Sequence, residues 1–280
     1  MQYQVEIEIG KTPSSYMRAC LGRASALMKT NNFPKLIIFI GPQGAGKTTH
    51  ARILSKWFKR LNRDAHVTSL THYTVFHLRF IRLLGLLCKT NVVKVRFYED
   101  LPPQPFPSTE IYRRLFPLLI FLHFIGFTLS LIKLRLLMFL HEIIIEHEGY
   151  IFKQLADLNF LAMFIKLRPD AVAGGLLKRF NMMILNMLLD DEVLIVRLRV
   201  GVNVLKKRYI NRPHIEPTHY ILFQERVYNI TTKHLSACGK LRVIAIDSSA
   251  NIAKVFLNIV TKVFKNRSIF KRRSSMINIH

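Results

Sequence analysis

Acidic residues are scarce in this chain of 280 residues, in which 17 Asp+Glu stand against 42 Lys+Arg for a formal net charge of +25. Between Ile9 and Tyr98 the only carboxylate is Asp64, and none follows Asp247. An excess of this size predicts attraction to phosphate, in nucleotides, nucleic acid or anionic lipid heads. Cysteine is equally sparse: Cys20, Cys88 and Cys238 lie far apart with no CxxC pair. That excludes a disulfide scaffold and a structural zinc module, and it suits a reducing compartment. The expected location is the cytoplasm, with the membrane periphery left open by the charge. A secretory leader is not expected over residues 1–33, because Glu6, Glu8 and Lys11 fall where one would need its hydrophobic stretch. A disordered chain is excluded in turn, since half of the residues are hydrophobic and the length can bury a substantial core.

What the chain does contain starts at Phe33. Lys35-Leu36-Ile37-Ile38-Phe39-Ile40 is a short β-branched and aromatic run that predicts a buried strand. It leads directly into Gly41-Pro42-Gln43-Gly44-Ala45-Gly46-Lys47-Thr48-Thr49, a full match to G-x-x-x-x-G-K-[ST]. Behind it, residues 50–60 carry apolar side chains at 53, 54, 57 and 58, the spacing of a helix. Strand, glycine loop and helix thus follow in the order phosphate binding requires. Glycines let backbone N–H groups approach phosphate oxygens, and the helix N-terminus adds unsatisfied donors and partial positive charge. Lys47 is placed to reach the β- and γ-phosphates, and Thr48 to offer its hydroxyl to Mg²⁺. ATP with Mg²⁺ is the expected ligand, held by residues Gly41, Pro42, Gln43, Gly44, Ala45, Gly46, Lys47, Thr48 and Thr49.

The segment Ile38–Ala51 resembles the opening of the nucleoside-monophosphate kinases, thymidylate kinase in particular, which also place a Thr or Ser pair after the lysine. The resemblance covers roughly 33–264, specific at the loop and resting on order and spacing elsewhere. It implies an α/β, three-layer P-loop NTPase fold: a parallel central sheet flanked by helices, with a helical lid and an insertion. Under it, Ala65–Thr71 is the second strand and Glu192–Leu198 the strand before the lid. Val204–Arg208 is the lid helix and Tyr209–Pro217 the lid. Val243–Ser249 is the last strand with the base-contacting loop, where Asp247 and Ser248 would meet the adenine. A closing helix spans Asn251–Phe264. Lys206, Arg208 and Arg212 flank the lid, and Arg208 and Arg212 are implied, with Lys47, as the catalytic cations over the moving phosphoryl group.

Two motifs of that family are absent. The candidate strand Glu142–Glu146 ends in Glu146-His147-Glu148-Gly149-Tyr150, with no Asp-Arg pair, and Thr71-His72-Tyr73 stands in place of Glu-Pro-Gly. Glu146 or Glu148 remains as the carboxylate to organise Mg²⁺ together with Thr48. A phosphorylated small-molecule acceptor is implied, and Arg79, Arg82, Arg96, Arg113 and Arg114 are the cations that can meet its phosphate.

The remaining chain divides into an N-terminal appendage (1–32) with a helix over 13–29, an insertion (about 91–141), a lid (about 206–218) and a basic tail (265–280). In the insertion, Asn91–Tyr98 alternates like a strand, and Pro102, Pro103, Pro105 and Pro107 dictate an extended loop. Leu115–Ile132 has no formal charge over eighteen residues, bracketed by Arg113-Arg114 and Lys133. Its length alone allows a membrane span. Strands expected on both sides of it in one parallel sheet favour instead a core or substrate-side helix, with membrane-surface contact as the other use. Met187–Glu192 resembles an hhhhDE Walker B box. Val193 opens the next strand at once, however, and parallel strands need a crossover of a dozen residues or more, so Gly175–Leu189 is expected as a helix. The box supports the alternative function, a P-loop ATPase or nucleotide-controlled protein on nucleic acid or an anionic membrane surface. Self-association into a homodimer is left open.

Overall fold

The computed structural model describes residues 33–70, 109–164, 166–168, 170, 172–187, 193–209, 218–237 and 242–265. The expected appendage helix, the strand 91–98, the proline loop, Arg79, Arg82, Arg96, Arg212, most of the lid, the Walker B-like box after Met187 and the tail after Lys265 lie outside the described residues. So do all three cysteines. Arg113 and Arg114 lie in described helix backbone.

Five strands pair in parallel: β1 (Leu36–Ile40), β2 (Ala65–Thr68), β3 (Ile143–Glu146), β4 (Val193–Arg199) and β5 (Arg242–Asp247), in the order β2-β3-β1-β4-β5. Successive side chains on a strand point to opposite faces, and both faces of this sheet are covered, which is why β1 and β3 read as unbroken apolar runs. Ile37 and Phe39 of β1 meet α1 (Lys47–Arg60) and α7 (Ile252–Lys265), through Leu54, Trp57, Phe58, Phe256 and Ile259. Leu36, Ile38 and Ile40 face the other way, into a larger core built by α2 (Thr109–Leu140), α3 (Tyr150–Phe164), α4 (Val172–Met187) and α6 (Thr218–Ala237). The architecture is the expected α/β, three-layer arrangement of a parallel central sheet flanked by helices.

The helix expected over Gly175–Leu189 is described as α4, and Met187, where the Walker B-like box begins, is its last residue. The apolar middle forms α2, a single helix longer than the eighteen-residue run, with Leu115–Leu140 apolar enough in length and composition to span a membrane. Its inner side belongs to the core: Phe116, Leu119, Ile120, Phe127 and Leu134 are buried, and Ser130 Oγ donates to the Leu70 carbonyl at 3.2 Å. Because β2 and β3 hydrogen-bond to each other directly on either side of this connection, residue 68 and residue 143 lie on the same side of any membrane.

A buried ion pair ties α6 to the sheet. Arg197, in the middle of β4 and 4% exposed, donates to Glu225 Oε2 at 2.6 Å and to Asn229 Oδ1 at 3.1 Å.

Candidate active site

Because all five strands are parallel, their carboxyl ends form one edge, and the loops leaving it converge. Such an edge, where neighbouring connections run to opposite sides, is the usual ligand crevice of an open α/β sheet. Here β1, which delivers the glycine loop, is flanked by β3 and β4. The expected site residues that are described gather there, on loops after β1, β3, β4 and β5.

The loop after β1 needs glycine at its first position. Gly41 has φ +145°, and a Cβ there would stand 2.4 Å from the Leu198 carbonyl oxygen of β4. Ala45 N–H closes the turn onto the Pro42 carbonyl at 3.2 Å. α1 starts at Lys47 with no acid in its first turn, so the N-terminal end of its dipole is uncompensated by side chains. The Lys47 ammonium folds back over the loop, donating to the carbonyls of Gly41 at 2.7 Å and Pro42 at 2.9 Å. Those are weak partners for a full charge. A phosphate oxygen in the cradle would be a stronger one.

The helix expected to carry the lid, α5 (Val202–Tyr209), starts two residues earlier than the sequence predicts and is docked on the loop. Leu205 and Tyr209 are buried, and Tyr209 Oη donates to the Gln43 carbonyl at 2.7 Å. Arg208 spans two loops: it donates to the Gly44 carbonyl at 3.0 Å and to the Ser248 carbonyl at 2.6 Å. The last strand's loop is thereby fastened to the phosphate loop. Ser248 is buried, with its hydroxyl on the Arg199 carbonyl at 3.0 Å, so its side chain is spent on the fold. Asp247 is exposed; the Ser249 N–H it accepts at 2.9 Å holds its carboxyl below the usual range, with Arg208 adding a smaller pull. Lys206 is exposed on the outer side of α5.

The two glutamates expected at the metal behave differently. Glu146 is 1% exposed and its oxygens accept the N–H groups of Glu148 at 2.9 Å and Gly149 at 2.8 Å. Burial pushes its carboxyl up to about 7, against the pull of those bonds. It thus shapes the turn that follows β3. Glu148 is half-buried and its Oε1 lies 4.0 Å from His147 Nδ1.

Between them stands a residue the sequence reasoning did not single out. His147 Nδ1 lies 3.2 Å from Thr48 Oγ1, so the hydroxyl expected to meet a metal ion faces an imidazole. Burial holds this ring below the usual histidine range, with Glu148 pulling the other way and Arg52 and Lys47 reinforcing the effect. The histidine sits in the gap where the expected motif has an arginine, which was the available signal. His50 was also missed: it is buried behind Gly46, and burial, then Arg208, brings its ring down to about 4.

The donor set suits a divalent ion beside a triphosphate. Thr48 Oγ1, His147 Nδ1 and Glu148 Oε1 stand next to one another at the mouth of the cradle. Among the described residues no cluster of three or more His, Cys, Asp or Glu can hold a metal without other ligands. The hydroxyl and the phosphates must complete such a site.

No protein-family model matches the chain, and no curated protein matches it. Among solved structures, the deoxyadenosine kinase of M. mycoides with bound dATP superposes with a TM-score of 0.45 at 17% identity, over 81% of this chain and 98% of that one. A Pseudomonas aeruginosa protein described as a polyphosphate kinase 2 superposes with a TM-score of 0.43 at 15% identity, over 92% of this chain, which spans 45% of that protein. At these scores neither neighbour assigns a substrate or a reaction.

Proposed function

We propose that this protein is an ATP-dependent phosphotransferase of the nucleoside-monophosphate kinase type, thymidylate kinase-like in its phosphate loop. The observation that carries this reading is Arg208. A guanidinium reaching from the segment after β4 to the Gly44 carbonyl puts a planar cation at the mouth of a phosphate cradle. Phosphoryl transfer asks little covalent chemistry of a protein; it needs alignment and neutralisation of charge. Lys47 exchanges its two carbonyl partners for phosphate oxygens, and the loop amides and the start of α1 orient the triphosphate. Thr48 would hold the divalent ion and a carboxylate of the β3 turn, Glu148 or Glu146, would organise the waters around it; when bound, the ion supplies charge neutralisation at the phosphate oxygens. Arg208 and Arg212 close over the transferred group and exclude water. The acceptor is a nucleoside monophosphate, thymidylate by the resemblance of the loop. A coupled assay of ADP release across ribo- and deoxyribonucleoside monophosphates tests this; ATP binding without acceptor-dependent turnover on any of them overturns it.

A second use of the molecule is favoured by the outer side of α2. Leu118, Ile125, Ile132 and Phe139, spaced seven residues apart, are exposed together with Phe121 and Leu136, and Phe139 is 87% exposed. An apolar stripe on a chain of net charge +25 fits the surface of an anionic bilayer. Co-sedimentation with phosphatidylserine vesicles, lost in Phe121→Glu/Ile132→Glu, is the expected result. Equal recovery without vesicles, or binding unchanged by those substitutions, overturns it.

A further inference from the structure

A nitrogen ligand changes what a metal site prefers. Sites built from hydroxyl, carboxylate and water oxygens suit Mg²⁺, whereas an imidazole ligand favours the first-row transition ions, all of which, from Mn²⁺ upwards, bind nitrogen more tightly than Mg²⁺ does. In this protein an imidazole faces the Thr48 hydroxyl across the crevice. His147 Nδ1 and Thr48 Oγ1 are 3.2 Å apart. Adjacent ligand atoms of an octahedral ion with bonds near 2.1 Å stand about 3 Å apart, so the two atoms already have the separation of neighbouring ligands. The competing carboxylate, Glu146, is turned into its own loop, where both oxygens accept backbone N–H groups. Glu148 Oε1, 4.0 Å from the same imidazole nitrogen, remains as a flanking oxygen.

Resting on the phosphotransferase reading above, we infer that His147 is a direct ligand of the divalent ion that accompanies the nucleoside triphosphate. The site therefore selects Mn²⁺ or Co²⁺ over Mg²⁺. The ion would be shared among Thr48 Oγ1, His147 Nδ1 and phosphate oxygens of the nucleotide, with no bond made or broken in the protein. β3 and β1 are hydrogen-bonded neighbours, with Ile38 opposite Glu146, and the phosphate loop leaves β1 two residues after Ile38. The sheet itself thus sets the spacing between the two ligands.

The test uses the full chain with Mn²⁺ and a non-hydrolysable ATP analogue. Electron spin-echo spectroscopy should show nitrogen modulation from a coordinated imidazole. It should change to the ¹⁵N pattern when the protein is grown on ¹⁵N-histidine, which separates protein nitrogen from the nitrogens of the adenine. In His147→Ala, with its fold verified by circular dichroism, the modulation disappears. Calorimetry should find the analogue bound about tenfold tighter with Mn²⁺ than with Mg²⁺ in the wild type, and within about twofold in the variant, a change at least as large as the smallest seen for residues that only support a metal ligand. Analogue bound equally well with both ions and no histidine modulation would mean that His147 only hydrogen-bonds Thr48, overturning the inference and leaving the phosphotransferase reading intact. No analogue bound with either ion would overturn both.

Discussion

His147 Nδ1 stands 3.2 Å from Thr48 Oγ1, joining the turn after β3 to the first turn of the phosphate-loop helix across 99 positions of chain. Thr48 is therefore held in place before any ligand arrives. If its hydroxyl serves the metal, the cost of removing it should depend on the metal. Thr48→Ala is expected to weaken ATP-analogue binding about tenfold or more with a divalent ion present, since even residues that only support a metal ligand cost that much when removed, and Thr48→Ser should restore most of it. In EDTA the wild type and Thr48→Ala should bind alike. A calorimetric titration under both conditions checks this; equal losses with and without metal would place the hydroxyl on the phosphates or in the fold alone.

The phosphate loop, the buried strands and the helix expected over 175–189, described as Val172–Met187, were legible because each depends on local pattern. Unbroken apolar runs mark strands covered on both faces, and the absence of room for a crossover before Val193 predicts a helix where 172–187 is helical. Other features depend on contacts far apart in the chain. Lys133 reads as the end of the apolar run, yet its ammonium reaches the Ser69 carbonyl at 2.9 Å and the helix continues to Leu140. Arg197 is a lone charge inside the expected strand Glu192–Leu198, and its burial against Glu225, 28 positions further on, is not a matter of local pattern. The contact between Thr48 and His147 follows from the pairing of β3 with β1, which no local periodicity encodes.

The Arg197–Glu225 pair makes a prediction about stability separate from the site. Removing one partner leaves a buried guanidinium without its counter-charge, so Glu225→Ala should lose about 2–4 kcal/mol in urea unfolding, with nucleotide affinity unchanged. Because a buried pair is weak support compared with good apolar packing, Arg197→Met/Glu225→Leu should recover much of that loss. A double variant as unstable as Glu225→Ala would show that the Asn229 and backbone contacts of Arg197 matter more than its charge pairing.

His123 gives the fold a dependence on pH. It is buried within α2, hydrogen-bonded to Gln154, and burial brings its ring from 6.5 down to about 4. The folded chain keeps it neutral where the unfolded chain takes up a proton. Its contribution is therefore complete above about pH 6.5 and lost as the pH falls towards 4. A gap of that size corresponds to about 3 kcal/mol. His123→Asn, which retains a side-chain partner for Gln154, should lose less stability between pH 7.5 and pH 4.5 than the wild type does. Parallel denaturant titrations at the two pH values measure the difference. Identical slopes would assign the acid sensitivity to other groups, His50 first among them.

Gly149 tests whether the turn that carries His147 is tied to the phosphate loop. Its φ of +64° lies in the left-handed region, and a Cβ there would stand 2.9 Å from the Phe39 carbonyl oxygen and 3.1 Å from Ile40 Cγ2. Two separate costs follow for Gly149→Ala. The left-handed conformation costs a residue with a Cβ about 1–2 kcal/mol. The contact adds more, because the oxygen belongs to the backbone of β1 and cannot swing aside. Phe39 and Ile40 lead directly into Gly41, so relief by displacement would separate the β3 turn from the cradle and draw His147 and Glu148 away from Thr48. Asparagine tolerates the left-handed region far better than alanine but carries the same Cβ. Gly149→Asn should therefore regain part of the lost stability while leaving metal-dependent nucleotide binding as weak as in Gly149→Ala. If asparagine restores both, the backbone angle alone explains the glycine and the close approach to Phe39 is not limiting. If stability returns and binding does not, the spacing between β1 and the turn after β3 is what the glycine protects.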